Sequence, residues 1–157
     1  ALPLPRISTM LGDVQAKTLI SAGDFSIAGC ETIDYLSIDL SNLSAEAPDV
    51  TIAPEDLAYV LFTSGSAGKA KGVSISHRAL NNQMNWLNSE FGFNPGDRFL
   101  QRTSASFDAS VWEFWSPLMV GGTMVIAPKE VNHDVAAMDK LLSDARISRL
   151  QIVPYLL

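Results

Sequence analysis

The sequence is poor in the features that mark several large classes of protein. A single cysteine, Cys30, excludes an internal disulfide framework and fits a reducing compartment. Acidic residues outnumber basic ones by 17 to 11, and the formal net charge of −6 disfavours a nucleic-acid groove. Nowhere do histidine, cysteine and carboxylate residues stand at the spacing of a metal site, so we expect no metal held by this chain.

The chain also lacks an apolar run long enough to cross a bilayer and a charged-then-apolar leader. We therefore expect a cytoplasmic protein with no membrane partner. What the chain does have is a globular balance of 47% hydrophobic and 18% charged residues. Its 157 residues are enough for one ordinary domain with a core of its own.

Hydrophobic periodicity divides the chain into three parts of a single, partial domain. Residues 1–40 predict a helix and a short strand, residues 41–56 a polar loop that contains proline, and residues 57–157 strands that alternate with helices. This alternation predicts an α/β fold with a mainly parallel sheet and flanking helices. In the third part we predict strands at 98–103, 123–127 and 147–153, and helices capped by Ser76 and Asp134.

The most informative stretch is LAYVLFTSGSAGKAKGV, residues 57–73, where an apolar run typical of a buried strand leads into a loop of small residues. Gly65, Gly68 and Gly72 permit positive φ and let backbone N–H groups approach an anion. The helix that follows would direct its N-terminus to the same anion. The predicted phosphate site consists of Thr63, Ser64, Gly65, Ser66, Gly68, Lys71 and Gly72, within a basic cluster of Lys69, Lys71, His77 and Arg78.

This loop is not a Walker-type phosphate loop. That motif needs glycine where Thr63 stands and serine or threonine where Ala70 stands. On composition alone, an ordinary Gly/Ser-rich connection between a strand and a helix is an equally good interpretation.

In order and spacing, the stretch resembles the phosphate-loop motif of the adenylate-forming enzymes, and more narrowly that of the adenylation domains of nonribosomal peptide synthetases. The motif is Leu-Ala-Tyr, two variable residues, Tyr-Thr-Ser-Gly-Ser-Thr-Gly, one variable residue and Pro-Lys-Gly. The chain departs from it at Phe62, Ala67 and Ala70, and Ala67 lacks a hydroxyl that would lie in the phosphate path. The matching positions are Leu57, Ala58, Tyr59, Thr63, Ser64, Gly65, Ser66, Gly68, Lys71 and Gly72.

A second stretch, FDASVWE at residues 107–113, centres on Asp108. A carboxylate among apolar neighbours is costly unless it is paired or faces a cation, although an ordinary helix N-cap is an alternative compatible with that role. The stretch is similar to the segment that binds the substrate's α-ammonium group in adenylation domains specific for amino acids. The resemblance implies that Ala109, Trp112 and Gln151 line a side-chain pocket similar to those for glutamine or glutamate. For Gln151, exposure on an edge strand stays open.

The resemblance also implies a reaction and its partners. An amino acid would be activated by ATP with Mg²⁺ to an aminoacyl-adenylate, then transferred to the phosphopantetheine thiol of a carrier domain, beside condensation domains of the same synthetase. The family's adenine, ribose and catalytic-lysine motifs do not occur in the chain. We therefore expect no catalytic residue here and no activity of the chain alone. The alternatives are a non-catalytic remnant and an acyl- or aryl-CoA ligase relative, against which Asp108 argues.

Overall fold

The computed structural model describes residues 2–23, 26–64 and 70–153, in which helices and strands alternate. No helix in these ranges combines the length and the apolar character that crossing a bilayer requires. In chain order the elements are α1 (Leu4–Asp13), β1 (Thr18–Ser21), β2 (Glu31–Asp34), β3 (Leu57–Ser64), β4 (Ala70–Ser76), α2 (His77–Phe91), β5 (Arg98–Gln101), α3 (Ala109–Val120), β6 (Thr123–Ile126), a 3₁₀ helix (Lys129–His133) and α4 (Val135–Asp144).

Two of the three strand pairs are parallel. Strand β1 pairs with β2, and β5 pairs with β6, which confirms the predicted α/β fold with parallel pairing and flanking helices. The pair β3–β4 is an antiparallel hairpin, because a parallel partner would need a crossover far longer than the short connection between these strands. The strand predicted at 147–153 is reduced to one parallel bridge between Phe99 and Arg149.

Strand β4 corrects the expectation that the α2 dipole acts on the predicted anion site. The strand carries the chain back along β3, so that Ser76 stands opposite Leu57 before α2 begins. The N-terminus of α2 therefore lies at the far end of the hairpin from Ser64, roughly 20 Å away at about 3.3 Å per residue. A helix dipole acts over its first turn and does not reach that distance.

The predicted basic cluster is divided by the same strand. Lys71 lies at the beginning of β4, whereas His77 and Arg78 lie beyond its end. Arg78 forms an exposed ion pair with Glu55, whose carboxylate partly neutralises the Arg78 charge at that end of the strand. Lys69 lies outside the described residues. Of this cluster, Lys71 alone among the described residues stands at the loop end of the hairpin.

Helices α2 and α3 pack on the hairpin around a small apolar core. Ser76 caps α2 as predicted, since its hydroxyl accepts the N–H of Ala79 at 3.3 Å. Leu80 and Met84 of α2 are buried against Val111 of α3. Helix α3 continues past Pro117 and ends at Gly121, whose φ of 70° is left-handed.

A buried carboxylate joins the beginning of β5 to the segment after α4. Asp97 is 5% exposed. It accepts hydrogen bonds from Ser148 Oγ at 2.7 Å and from Arg149 Nε and Nη2 at 2.9 and 3.0 Å. The backbone and side-chain amides of Asn94 donate to it at 3.0 and 3.1 Å. The Arg149 hydrogen bond is the main reason why the pKa of Asp97 lies below its ordinary value, with Ser148 and Asn94 also lowering it against the effect of burial.

We expect Asp97 to stabilise the fold at neutral pH and to lose that contribution in acid. Because its pKa is lower in the folded chain, the contribution is complete above the unfolded value of about 3.9 and disappears as the pH falls through the folded value. In Asp97→Asn, the free energy of unfolding should fall less steeply than in the wild type between about pH 5 and pH 2. Urea unfolding at a series of pH values checks this, and equal slopes would contradict it.

Candidate functional site

A cleft of about 1260 Å³ opens between the β3–β4 hairpin, α2, α3 and residues 148–152. Its walls are predominantly apolar with a few polar groups, which is the composition of small-molecule sites. The apolar and aromatic lining comes from Tyr59, Leu61, Val73, Ile75, Leu87, Phe91, Phe93, Trp112 and Ile152. The polar lining includes Thr63, Ser64, Gln83, Asp108, Arg149 and Gln151.

The cleft brings together residues from both informative stretches of the sequence. Of the predicted phosphate-binding residues, Thr63 and Ser64 line it, whereas Lys71 and Gly72 lie in β4 outside the lining. The predicted residues Gly65, Ser66 and Gly68 lie outside the described part of the chain. All the residues predicted to bind the amino acid line the cleft, namely Asp108, Ala109, Trp112 and Gln151.

One face of the hairpin forms a wall of the cleft and ends in polar groups. Directly paired residues of an antiparallel ladder share a face, and here these are the pairs Tyr59–Ile75, Leu61–Val73 and Thr63–Lys71. The Thr63 hydroxyl donates to the Lys71 carbonyl at 3.5 Å, which holds the two strand ends together. The Thr63 and Ser64 hydroxyls and the Lys71 ammonium therefore stand at one end of the hairpin, as donors and a cation suited to an anion.

Gly72 does not adopt the positive φ that a glycine permits. It lies within β4 opposite Phe62, and its φ is not in the positive range. A Cβ at this position would lie 3.1 Å from Val60 Cγ1 and 3.5 Å from the Phe62 ring. A glycine therefore fits this position because side chains of β3 cover it.

Asp108 occupies the N-cap position of α3 but does not cap the helix. Its backbone is helical, with φ −59° and ψ −30°, and its carboxylate makes no capping hydrogen bond. The side chain is exposed in the cleft. Burial, and after it the charge of Asp108, raise the pKa of Tyr59 across the cleft. The carboxylate is thus near an aromatic wall and open to a ligand.

Trp112 and Gln151 meet directly, although 39 residues separate them in the sequence. The indole N–H of Trp112 donates to the side-chain oxygen of Gln151. Trp112 lies one helical turn after Asp108, which places both on the cleft side of α3. Gln151 is half-buried, which contradicts its alternative interpretation as an exposed residue of an edge strand.

The sequence analysis missed the aromatic and basic residues that support this pocket. Phe93 stacks on Trp112 with ring centroids 6.0 Å apart and an interplanar angle of 16°. The guanidinium carbon of Arg149 lies 5.0 Å from the Phe93 centroid. Strand alternation could have found Tyr59, which shares a face with Thr63. No local pattern joins Phe93 to Arg149, because their contact depends on the tertiary fold.

No group of three histidine, cysteine, aspartate or glutamate side chains within residues 2–23, 26–64 and 70–153 could hold a metal ion.

A known protein family matches the whole chain, and known proteins match all or most of it. The family described as AMP-binding enzyme matches residues 1–157. Tyrocidine synthase 3 of Brevibacillus parabrevis is 40% identical over 158 residues, which cover 99% of this chain and 2% of that protein. Indigoidine synthase of Dickeya dadantii is 45% identical over 112 residues, which cover 71% of this chain and 8% of that protein. The chain therefore spans only a small part of the length of these relatives.

Solved structures with a similar fold come from the same kind of protein. The N-terminal subdomain of Klebsiella oxytoca NpsA, in complex with 3-hydroxybenzoyl-AMSN, has a TM-score of 0.80 at 26% identity, over 95% of this chain and 38% of that one. The nonribosomal peptide synthetase FmoA3 in its AMPPNP-bound form has a TM-score of 0.81 at 27% identity, over 94% of this chain and 16% of that one.

Proposed function

The chain belongs to the AMP-binding enzyme family, and we propose that it is part of an adenylation domain that activates an amino acid with ATP for nonribosomal peptide synthesis. The products of this reaction are an aminoacyl-adenylate and pyrophosphate. The observation that carries the proposal is the Asp108 carboxylate, which is exposed in an aromatic cleft and has no capping bond. A carboxylate in such a site suits a ligand ammonium group.

The hairpin end of the cleft supplies the second half of the proposed site. Thr63 and Ser64 hydroxyls would donate to phosphate oxygens, and the Lys71 ammonium would offset their charge. The proposed phosphate site extends through Gly65, Ser66, Gly68 and Gly72. Bound ATP would supply the electrophilic α-phosphate, while this chain's residues hold the reactants in place.

The remaining components of the reaction come from beyond these residues. Mg²⁺ would enter on the ATP phosphates and take its protein ligands from other parts of the polypeptide. The acceptor would be a phosphopantetheine thiol on a carrier domain, with condensation domains in the same synthetase. Because the chain covers a small share of its relatives, we propose that these steps need the complete protein.

The side-chain pocket favours an amino acid that can accept a hydrogen bond. An indole N–H is a donor only, so its bond to Gln151 uses the amide oxygen and leaves the amide nitrogen. No described residue accepts a hydrogen bond from that nitrogen. We propose glutamine or glutamate as the substrate, since each carries a side-chain oxygen that can meet this donor.

An aryl acid is the second candidate, because the similar NpsA subdomain was solved with 3-hydroxybenzoyl-AMSN. The aromatic walls of the cleft could hold a ring. Such a substrate has no ammonium group, however, and would leave Asp108 facing an uncharged ligand at a desolvation cost. A non-catalytic remnant is the third candidate, which the alanines at positions 67 and 70 favour.

The proposal is tested by ATP–pyrophosphate exchange with the complete polypeptide against all proteinogenic amino acids and a panel of aryl acids. We expect exchange with one amino acid or a close pair of them. Exchange with aryl acids alone would support the second candidate. If correctly folded protein exchanges with no compound, the remnant interpretation stands instead.

Lys71→Ala should lower kcat/KM for ATP roughly tenfold to a hundredfold, because it removes a charge from the proposed phosphate site. The matched control is Arg78→Ala at the other end of the same hairpin, where the exposed pair with Glu55 contributes little. We expect exchange by the control to match the wild type. If Lys71→Ala also exchanges at the wild-type rate, Lys71 does not bind phosphate.

A further inference from the structure

A positively charged side chain forms part of the cleft wall, and a buried carboxylate neutralises it. Arg149 lines the cleft, with 29% of its side chain exposed. Behind it, 7% of the Asp97 side chain is exposed, and its carboxylate accepts from Nε at 2.9 Å and from Nη2 at 3.0 Å. This two-point geometry is the strongest that an arginine and a carboxylate can form. The guanidinium group of Arg149 therefore faces the cleft, while the carboxylate of Asp97 neutralises its charge from the interior of the protein.

Arg149 is coupled to the proposed side-chain pocket by two stacked rings. Its guanidinium group covers Phe93, which stacks on Trp112, and Trp112 donates to Gln151. Arg149 and Gln151 thus lie in one short segment, and they contact opposite ends of the stack that Phe93 and Trp112 form. In an extended segment, residues two apart lie about 7 Å from each other and face the same side.

Few charges compete with Arg149 in the cleft. Among the described residues that line it, Asp108 and Arg149 are the charged ones, and Tyr59 is the other titratable group. In the proposed function Asp108 binds the α-ammonium group of the substrate. The charge that the substrate's side chain meets is then set by the balance between Arg149 and Asp97.

We propose that Asp97 is a positioning residue that determines selectivity, because it neutralises Arg149 and so lets the pocket prefer the neutral glutamine over the anionic glutamate. This inference rests on the proposed function. With the pair intact, a substrate carboxylate gains no net charge partner and loses its hydration, whereas an amide loses less. Gln151 still supplies a hydrogen-bond donor to the side-chain oxygen of glutamine.

The test compares kcat/KM for glutamine and glutamate in pyrophosphate exchange by the complete polypeptide. The wild type should prefer glutamine. Asp97→Asn leaves the guanidinium charge unbalanced and should raise the glutamate-to-glutamine ratio about tenfold, less at high salt. Arg149→Gln leaves the carboxylate unbalanced and should lower the ratio. A merely structural role of the pair would reduce exchange with both substrates alike and move the ratio in neither direction.

Opposite shifts in the two variants would support the inference, and Arg149→Gln decides alone if Asp97→Asn does not fold. Unchanged ratios, a wild type that prefers glutamate, or a wild type that activates other amino acids only would each overturn it, while the proposed activation of an amino acid by ATP stands. Absence of exchange with every amino acid would overturn both.

Discussion

Replacing Asp108 with asparagine should lower kcat/KM for the amino acid in pyrophosphate exchange about thirtyfold or more, while KM for ATP changes little. Asparagine keeps the size of the side chain and removes its charge. Loss of one partner of a desolvated, hydrogen-bonded charge pair costs about 2–5 kcal/mol, and each 1.36 kcal/mol is a factor of ten in rate. The effect should be on the amino acid because Asp108 lines the cleft beside Trp112 and makes no capping bond.

A second helix of the same chain provides the matched control. Asp134 occupies the N-cap position of α4, and its carboxylate accepts the N–H of Ala137 at 3.0 Å. Asp134→Ala should therefore lower the free energy of unfolding by about 1 kcal/mol and leave exchange unchanged. Asp108→Asn should instead lower exchange and leave the free energy of unfolding nearly unchanged. If exchange in Asp108→Asn equals that of the wild type, Asp108 does not bind the ammonium group.

Local sequence patterns predicted the elements that depend on neighbours in the chain. The caps of α2 and α4 followed from Ser76 and Asp134, and the structure confirms both capping bonds. The end of α3 at Gly121 coincides with the pair Gly121–Gly122 in the sequence, and Pro117 is tolerated inside the helix. These features need only a few consecutive residues, which a sequence displays directly.

The hairpin was missed for an identifiable reason. Val73 and Ile75 alternate with small residues in β4, which is a period of two. Lys71 and Gly72 at its beginning resemble a continuation of the loop, so that the sequence pattern assigns this part of the strand to the phosphate site. The position of Ser76 opposite Leu57 then reversed the expected relation between α2 and the loop.

Contacts across the cleft could not be predicted from spacing. Trp112 meets Gln151 at a separation of 39 residues, and Asp97 meets Arg149 at a separation of 52. The family resemblance selected Trp112 and Gln151 as residues of one pocket, and the structure places them in contact. It gave no indication of Asp97, Phe93 or Arg149, whose roles follow from tertiary packing.

Glu113 supports this site from within the core, and its replacement by alanine should have the largest effect on stability. The side chain is 0% exposed. One carboxylate oxygen accepts the backbone N–H groups of Arg102 and Thr103 at 3.1 and 3.0 Å and the Gln101 amide at 3.3 Å. The other accepts the Thr103 hydroxyl at 2.6 Å. Glu113 thereby fixes the end of β5, from which the chain continues to Asp108.

In Glu113→Ala these buried donors lose their acceptor, and the free energy of unfolding should fall by about 3–5 kcal/mol. Glu113→Gln should retain most of that stability, because its amide oxygen can face the three N–H donors while the Thr103 hydroxyl reverses and accepts from the amide nitrogen. Glu55→Ala, which removes an exposed partner of Arg78, should cost at most about 1 kcal/mol.

Hydrogen exchange of the complete polypeptide, measured by mass spectrometry, reports this loss locally. Amide protection in β5 and α3 should decrease in Glu113→Ala and persist in Glu55→Ala, with Glu113→Gln close to the wild type. Unchanged protection in Glu113→Ala would show that the buried carboxylate is not what holds β5 to α3. A decrease in Glu113→Gln as large as that in Glu113→Ala would show instead that the negative charge, and not the set of acceptors, is required there.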